Sequence, residues 1–262
     1  MIQLSRICVF PLKSGAGIDR DTALLEPRGL RGDRRWMVVD ADGRFLTART
    51  VPDMVRIAAA PIEGGLSLSF DGEPCTIATP TSGPRQAVTV WDDTVEARVA
   101  DDGGWLAARL GQDCRLVYMD EALRRPVDPR YATSDDITSF ADGFPILLLS
   151  EESLADLNAR LVHPVTMDHF RPNLVVSGCP AFAEDGWSRV RIGTAELRLV
   201  KRCARCVLTT VDPRTGRRSA NGEPLRTLAR YRKGDRGVLF GQNALVTRPG
   251  HVTRGDEVIV VS

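Results

Sequence analysis

Short β-forming runs joined by Asp-Gly turns dominate the first hundred residues of the chain. One pair is "RRWMVVDADGRFLTART" (Arg34–Thr50), and a second is "LSLSFDGEPCTIAT" (Leu66–Thr79), whose first run alternates strictly between apolar and polar residues. A similar pair follows in "AVTVWDDTVEARVA" (Ala87–Ala100). Such pairs predict antiparallel hairpins. Because strands follow strands through short turns, the pattern favours barrel-like closure over a parallel sheet.

The second half of the chain combines strands with a few helices. An apolar strand, "FPILLLS", leads into "SEESLADLNARL", a predicted helix with Ser150 as its N-cap. Further predicted strands are "NLVVSG", the hairpin "RVRIGTAELRLV", "GVLFGQNALV" and "DEVIVVS", and the other predicted helices are "GGWLAARLG" and "EPLRTLARYR". The sequence therefore predicts a mainly β fold with a few helices (α+β), built as two β-rich, barrel-like halves.

The two predicted halves are separated by a polar segment that contains Pro126 and Pro129 and lacks clear periodicity. We expect a first domain at 1–120, a linker at 121–136 and a second domain at 137–262.

Composition narrows the classes of function. The net charge of +1 suggests neither a nucleic-acid partner nor a membrane-surface partner. No apolar run approaches the roughly 20 residues of a membrane span, and no secretory signal is visible. Six cysteines in 262 residues are too sparse for a disulfide scaffold. These features predict a protein of the reducing cytoplasm.

The pair Cys203-Ala-Arg-Cys206 is the strongest candidate for chemistry. Structural zinc needs four ligands, and a redox dithiol needs a helix after the pair, whereas "VLTTV" (207–211) predicts a strand. Two inert core cysteines remain an alternative. Arg202 and Arg205 flank the pair, and guanidinium groups favour a thiolate. A single thiolate in basic surroundings suits a metal held mainly by an anionic organic ligand.

Three upstream stretches could hold such an anion. "PLKSGAG" places Lys13 and Ser14 before a flexible loop whose N–H groups can approach an anion closely. "RGLRGDRRW" concentrates arginines, including Arg34, around two glycines. "HFRPN" places Arg171 and Asn173 before an apolar strand, and this combination suits a phosphate beside a polar heterocycle. Alone, each stretch is a weak signal: the first could be an ordinary strand-ending loop, and the second could be a solvated basic loop.

Together these stretches resemble the MOSC family of molybdenum cofactor proteins, in the branch of the amidoxime-reducing components. The resemblance rests on "FPLKS", "GDRRW", "FLTAR", "ILLLSEESLADLNARL", "FRPNLVVSG", "AEDGW", "CARCVLTTVDPRTG", "EPLRTLARYR", "LFGQNALV" and "GHVTRGDEVIVV". It covers nearly the whole chain in the right order. It implies a MOSC N-terminal β-barrel domain followed by a MOSC domain.

The resemblance also implies a site. Cys206 would be the metal ligand and the catalytic residue, and Cys203 would be a neighbour that does not ligate. The implied residues around the molybdenum–molybdopterin cofactor are Lys13, Ser14, Arg34, Asp142, Arg171, Asn173, Arg205 and Asn243. Animal members have an aromatic residue in place of Asn243, so the correspondence is weaker there.

The implied activity is reduction of N-hydroxylated compounds to amines, without pyridoxal phosphate. Electrons would come from a separate protein, either a b-type cytochrome with a flavin reductase or a flavoprotein reductase. We expect neither a membrane anchor before the first strand of this chain nor a ferredoxin domain after Ser262. The alternatives are a carrier of molybdenum cofactor or sulfur that has no turnover of its own, and a plain β-rich binding protein that has lost its site.

Overall fold

Twenty-one strands and three α-helices form the regular structure of residues 1–261, which are the residues described by this computed structural model. In the first 120 residues the strands are β1 (Gln3–Val9), β2 (Ile18–Arg20), β3 (Thr22–Glu26), β4 (Gly29–Leu30), β5 (Trp36–Val39), β6 (Ala58–Ile62), β7 (Gly65–Phe70), β8 (Glu73–Ala78), β9 (Arg85–Val90), β10 (Asp93–Ala100) and β11 (Arg115–Tyr118). The later strands are β12 (Arg125–Pro126), β13 (Ile137–Thr138), β14 (Ile146–Ser150), β15 (Leu174–Ser177), β16 (Arg189–Ile192), β17 (Ala195–Arg205), β18 (Lys233–Gly234), β19 (Gly237–Arg248), β20 (Gly250–Thr253) and β21 (Val258–Val261).

The helices are few and short. They are α1 (Trp105–Leu110), α2 (Glu151–Asn158) and α3 (Leu225–Tyr231), with 3₁₀ segments at Pro52–Arg56, Met167–His169, Ala183–Gly186 and Val207–Thr210. Within residues 1–261, none of the helices has the length and apolar character that crossing a membrane would require. The predicted class, mainly β with a few helices, is confirmed.

The largest sheet has nine strands and joins the two ends of the chain. Its order is β2-β1-β15-β14-β19-β17-β16-β21, with β18 paired to β19. Strand β1 runs antiparallel to β15, with Gln3 opposite Ser177. Apolar side chains such as Leu148 and Leu197 form the core against it. The first strand is therefore part of the sheet built by the second half.

Four smaller sheets complete the fold. They have the orders β5-β11-β10-β9, β6-β7-β8, β20-β3-β4 and β12-β13. Strand β20 pairs with β3, so this contact also joins late residues to early ones. Val38, Leu68 and Leu116 are buried in a second core. The division at 1–120, 121–136 and 137–262 stays a prediction, and hydrogen-bonded strands cross it.

Several local predictions are confirmed. The β7–β8 hairpin turns at Asp71 and Gly72, whose φ angles of 51° and 85° are left-handed. Two consecutive left-handed residues match the right-handed twist of the paired strands, which is why Asp-Gly suits this turn. Ser150 caps α2 by accepting a hydrogen bond from the Ser153 N–H. Gly111 ends α1 in a left-handed conformation.

The first predicted hairpin forms only in part. Strand β5 exists, but residues after Gly43 contribute single bridges, Val39 to Phe45 and Arg44 to Thr89. The carbonyl of Thr47 accepts the N–H groups of the third and fourth residues after it, so the chain turns there. This turn brings the following arginine toward the second half of the molecule.

The prediction of a strand after Cys206 is wrong. Residues Val207–Thr210 form a 3₁₀ turn. The Thr209 hydroxyl donates to the Cys206 carbonyl at 2.9 Å, and the Thr210 hydroxyl donates to the Val207 carbonyl at 2.7 Å. Local hydrogen bonds from the threonines thus outweigh their intrinsic preference for strands.

Candidate functional site

A chain of polar contacts joins Cys206 to the N-terminal loop. Lys13 Nζ donates to Asp142 Oδ1 at 2.6 Å and to the Phe140 carbonyl at 2.7 Å. Arg49 Nη2 donates to Asp142 Oδ2 at 2.7 Å, and Arg49 Nε lies 3.1 Å from Cys206 Sγ. Asp142 therefore bridges two cations, and one of these contacts the thiol.

Electrostatics in this chain are strongly coupled. Burial lowers the pKa of the Lys13 ammonium to about 8, against the opposing effect of Asp142. Desolvation would raise the pKa of the Asp142 carboxyl, but the charges of Lys13 and Arg49 hold it well below its usual range. Asp142 is thus a fixed anion between two cations.

A second cluster stacks two guanidinium groups on one ring. The Arg34 and Arg171 guanidinium carbons lie 4.3 and 4.2 Å from the centroid of Phe10. Arg34 pairs with Asp33, and Arg171 Nη1 donates to the Gly15 carbonyl at 2.6 Å. Since Gly15 follows Lys13 by two residues, one loop joins both clusters.

Arg171 is a cation without enough counter-charge. Burial, followed by the charge of Arg34, lowers the pKa of Arg171 to about 9. An anion placed beside Arg171 would offset both effects and stabilise the charged guanidinium.

Three of the predicted residues have left-handed backbones. The φ angles of Ser14, Arg34 and Arg171 are 67°, 46° and 56°. Non-glycine residues adopt this region at a cost, and such residues concentrate at functional sites. Because all three residues lie in the two basic clusters, we take these two clusters together as the candidate site.

Ser14 and Asn173 bind protein atoms. Ser14 Oγ accepts the Ala48 N–H at 3.2 Å, which holds the backbone directly before Arg49. Asn173 is 2% exposed; its side chain accepts from Leu147 N and donates to the Cys8 carbonyl and to Asp33. Asn173 thus supports the cluster through its hydrogen bond to Asp33. Direct contact of Ser14 or Asn173 with a cofactor stays a prediction.

The two cysteines of the pair contact different arginines. Arg205 Nη1 lies 3.0 Å from Cys203 Sγ, and Arg205 Nη2 donates to the Phe170 carbonyl at 2.6 Å. Cys206 instead contacts Arg49 from the other half, and both thiols are free. Within residues 1–261 no group of three or more His, Cys, Asp and Glu side chains is placed to hold a metal ion.

Asn243 is the predicted residue with the weakest link to the others. It lies on β19 opposite Leu147 and Lys201. Its side chain makes no hydrogen bond among the residues that the structure describes, and it is partly exposed. Its role at the site stays a prediction.

Sequence reasoning missed Arg49 and Asp33 as members of the site. Both lie inside motifs that carried the family resemblance, "FLTAR" and "GDRRW". Asp33 is fully buried and accepts from Phe10 N, Arg34 and Asn173. The signal was present in the motifs, but no spacing rule connects Arg49 to a cysteine 157 residues later.

The residues present fit a large anionic group that includes a metal. Five cations, Lys13, Arg34, Arg49, Arg171 and Arg205, stand against the two carboxylates Asp33 and Asp142, an excess of three positive charges. Arg205 Nε is buried with no hydrogen-bond partner. A thiol that can ligate a metal lies beside them. None of the predicted site residues lines a separate cavity of about 900 Å³ bordered by Arg28 and Tyr118.

Comparison with known proteins identifies the family. Residues 1–113 match the model of the MOSC N-terminal beta barrel domain, and residues 135–259 match that of the MOSC domain. Mitochondrial amidoxime-reducing component 1 of Homo sapiens is 35% identical over 289 residues, which cover 98% of this chain and 82% of the relative. The chain belongs to the MOSC-domain family of the amidoxime-reducing components.

Other members are similarly related. Mitochondrial amidoxime reducing component 2 of Rattus norvegicus is 36% identical over 278 residues, which cover 97% of this chain and 82% of the relative. Among solved structures, the YUAD protein from Bacillus subtilis is 15% identical, with 98% of this chain and 94% of that chain covered and a TM-score of 0.47.

The prediction of a cytoplasmic location is wrong. The named relatives from mammals, Xenopus laevis and Danio rerio are mitochondrial proteins. The prediction rested on the sparse cysteines and on the lack of a visible secretory signal or membrane span, and these features do not distinguish one reducing compartment from another.

Proposed function

We propose that the protein is a molybdenum cofactor-dependent oxidoreductase that reduces N-hydroxylated compounds to amines. Substrates of this class are hydroxylamines, amidoximes and N-hydroxylated bases. The observation that carries the proposal is the contact of Arg49 Nε with Cys206 Sγ at 3.1 Å, inside a cluster with excess positive charge. The names of the relatives, which refer to amidoxime reduction, support the choice of reaction.

The reaction balances with two electrons and two protons. A substrate R–NH–OH plus two electrons and two protons gives R–NH₂ and water. The N–O bond breaks, one proton forms the new N–H bond of the amine, and the other forms the new O–H bond of the leaving water. When bound, the molybdenum cofactor supplies the redox-active metal that delivers the electron pair to this bond.

The chain's own residues would bind and orient. Cys206 would hold the metal through its thiolate, and Arg49 would stabilise the sulfur charge. Lys13, Arg34 and Arg171 would hold the anionic groups of the pterin. Asp142 would orient Lys13 and Arg49 toward them.

Electrons would come from a separate redox protein. By family resemblance this donor is a b-type cytochrome with a flavin reductase, or a flavoprotein reductase. We expect the isolated chain to turn over with a reduced viologen dye and not with NADH alone.

Turnover of molybdenum-replete protein tests the proposal. The chain is produced in a host that makes the cofactor, its molybdenum content is measured, and an amidoxime or hydroxylamine is added with reduced viologen. We expect one amine or amidine for every two electrons consumed. Protein with full molybdenum content and no turnover would overturn the enzyme proposal and favour a cofactor carrier.

Cofactor retention tests the assignment of the cationic cluster. Arg171→Ala should lower molybdenum per chain, because removing one partner of a buried charged contact costs about 2–5 kcal/mol. Arg191→Ala is the matched control, since Arg191 is exposed on β16 away from the cluster. Equal molybdenum content in the two variants would contradict the assignment.

A further inference from the structure

Trp91 is an exposed aromatic residue beside the candidate site. It lies at the tip of the hairpin between β9 and β10 and is 46% exposed. Its φ angle of 58° is left-handed. A large aromatic side chain in this backbone region costs folding energy, and its exposure recovers little of it. Residues with such backbone strain concentrate at active sites and ligand-binding sites.

The contacts of Trp91 place it against the polar chain that reaches Cys206. The Arg49 guanidinium carbon lies 4.4 Å from the indole centroid, and Phe45 packs at 5.2 Å with a tilt of 56°. The indole therefore contacts Arg49, whose guanidinium lies beside the Cys206 thiol.

A buried arginine ties the tip of this hairpin to the segment that carries Asp142. Arg125 is 2% exposed, and its Nε pairs with Asp93 Oδ2 at 2.7 Å. The same guanidinium donates to the carbonyls of Ser139, Ala141 and Asp142 at 2.9, 2.5 and 3.0 Å. Because Asp93 begins β10 two residues after Trp91, this buried ion pair holds the turn that carries Trp91 against the segment of Asp142.

We propose that Trp91 forms a substrate subsite that binds the flat, conjugated part of aryl amidoximes and N-hydroxylated heterocyclic bases. The inference rests on the proposed function and adds a preference within its substrate class. Arg49 contacts the ring, and the remaining open surface is available to a planar group. Planar groups stack on indole, and an amidinium product also interacts with its π face. Hydroxylamine itself offers nothing to stack.

Substrate comparison tests the subsite. Trp91→Ala should raise KM for benzamidoxime about five- to ten-fold, because one aromatic contact contributes about 1 kcal/mol. The same variant should leave kcat/KM for hydroxylamine within roughly two-fold of wild type. Trp91→Phe should keep most of the benzamidoxime affinity, since it keeps a ring. Asp92→Ala, at an exposed position of the same turn, should behave as wild type.

Direct binding gives a readout that needs no turnover. Benzamidine, the product of benzamidoxime reduction, should quench the intrinsic fluorescence of wild-type protein. The quench should disappear in Trp91→Phe, although calorimetry should still detect binding there. Trp91→Ala should lose both signals.

The outcomes separate this inference from the proposed function. If wild-type protein does not turn over but benzamidine binding depends on Trp91, the enzyme proposal fails and the subsite stands. Equal losses for benzamidoxime and hydroxylamine would overturn the subsite, as would unchanged benzamidine binding in Trp91→Ala. A fall in molybdenum content in Trp91→Ala would also overturn it, because the ring would then serve the cofactor.

Discussion

Cys206 and Cys203 differ in the guanidinium that each thiol contacts. Cys206 lies 3.1 Å from an arginine of the other half of the chain, and Cys203 lies 3.0 Å from an arginine two residues later. Contacts that join distant parts of a chain form only when the whole fold is assembled. The Cys206 thiol is therefore the one whose surroundings depend on both halves.

The two thiols should respond differently to substitution. Cys206→Ser removes the soft ligand that we propose for the metal, so we expect reduction of N-hydroxylated substrates to fall about a hundred-fold or more. Cys203→Ser removes only a side contact and should keep substantial activity. Activity and molybdenum content are measured on the same samples. An active Cys206→Ser together with an inactive Cys203→Ser would reverse the assignment.

Lys13 makes a pH-dependent contribution to stability. Its pKa is lowered from 10.5 to about 8 by burial. Between these pH values the unfolded chain binds more protons than the folded one, so the free energy of unfolding rises with pH. The buried charged lysine costs stability below about pH 8, and that cost is relieved toward pH 10.5.

Urea unfolding of cofactor-free protein measures this contribution. Between about pH 8 and pH 10, wild type should gain about 2 kcal/mol relative to Lys13→Met. Lys233→Met, at an exposed position on β18, should follow wild type. Parallel pH curves for wild type and Lys13→Met would rule out a buried, strained ammonium.

At the scale of single residues, the sequence identified side chains that the structure brings together, but it did not predict their contacts. Lys13, Arg34 and Arg171 lie in motifs that could be recognised, and the structure places them in two linked clusters. Arg49 could not be assigned, because its partners Asp142 and Cys206 are distant in sequence and only the folded chain brings them together.

At the scale of elements, the β9–β10 hairpin depends on one buried side chain. Arg125 makes four polar contacts and is 2% exposed. Arg125→Met would leave Asp93 and three carbonyls without their donor. We expect a loss of about 3 kcal/mol in the free energy of unfolding. Arg115→Met, exposed on β11, is the control, and equal stability of the two variants would contradict the anchor role.

Elements followed the sequence wherever local and long-range preferences agreed. The Asp-Gly turn of β7–β8 and the Ser150 cap of α2 need only neighbouring residues. The strand predicted after Cys206 does not form, because threonine hydroxyls donate hydrogen bonds to nearby carbonyls. The β-branched composition of the segment gives no indication of this local competition. The prolines of the predicted linker favoured an irregular segment, whereas Arg125–Pro126 pairs with Ile137–Thr138 in a short sheet.

At the scale of the whole molecule, the two halves share sheets. Strand β1 pairs with β15, and β3 pairs with β20. Neither half can therefore complete its own core alone, and we expect one cooperative unfolding transition in scanning calorimetry. Ile7→Asp, which buries a charge at the β1–β15 pairing, should lower the midpoint temperature of that transition without splitting it in two. Two separate transitions in wild type would show independent halves.

The pairing of Gln3 with Ser177 also has a consequence for synthesis on the ribosome. The first strand emerges 174 residues before its neighbour, a delay of roughly ten to thirty seconds at ordinary rates of translation. The delay is longer still between Thr22 and its pairing partner Thr253. The nascent chain thus exposes an unpaired edge until the ribosome has nearly finished, and holdase chaperones have that interval in which to act. The cofactor that we propose both halves hold would then be inserted only after chain release.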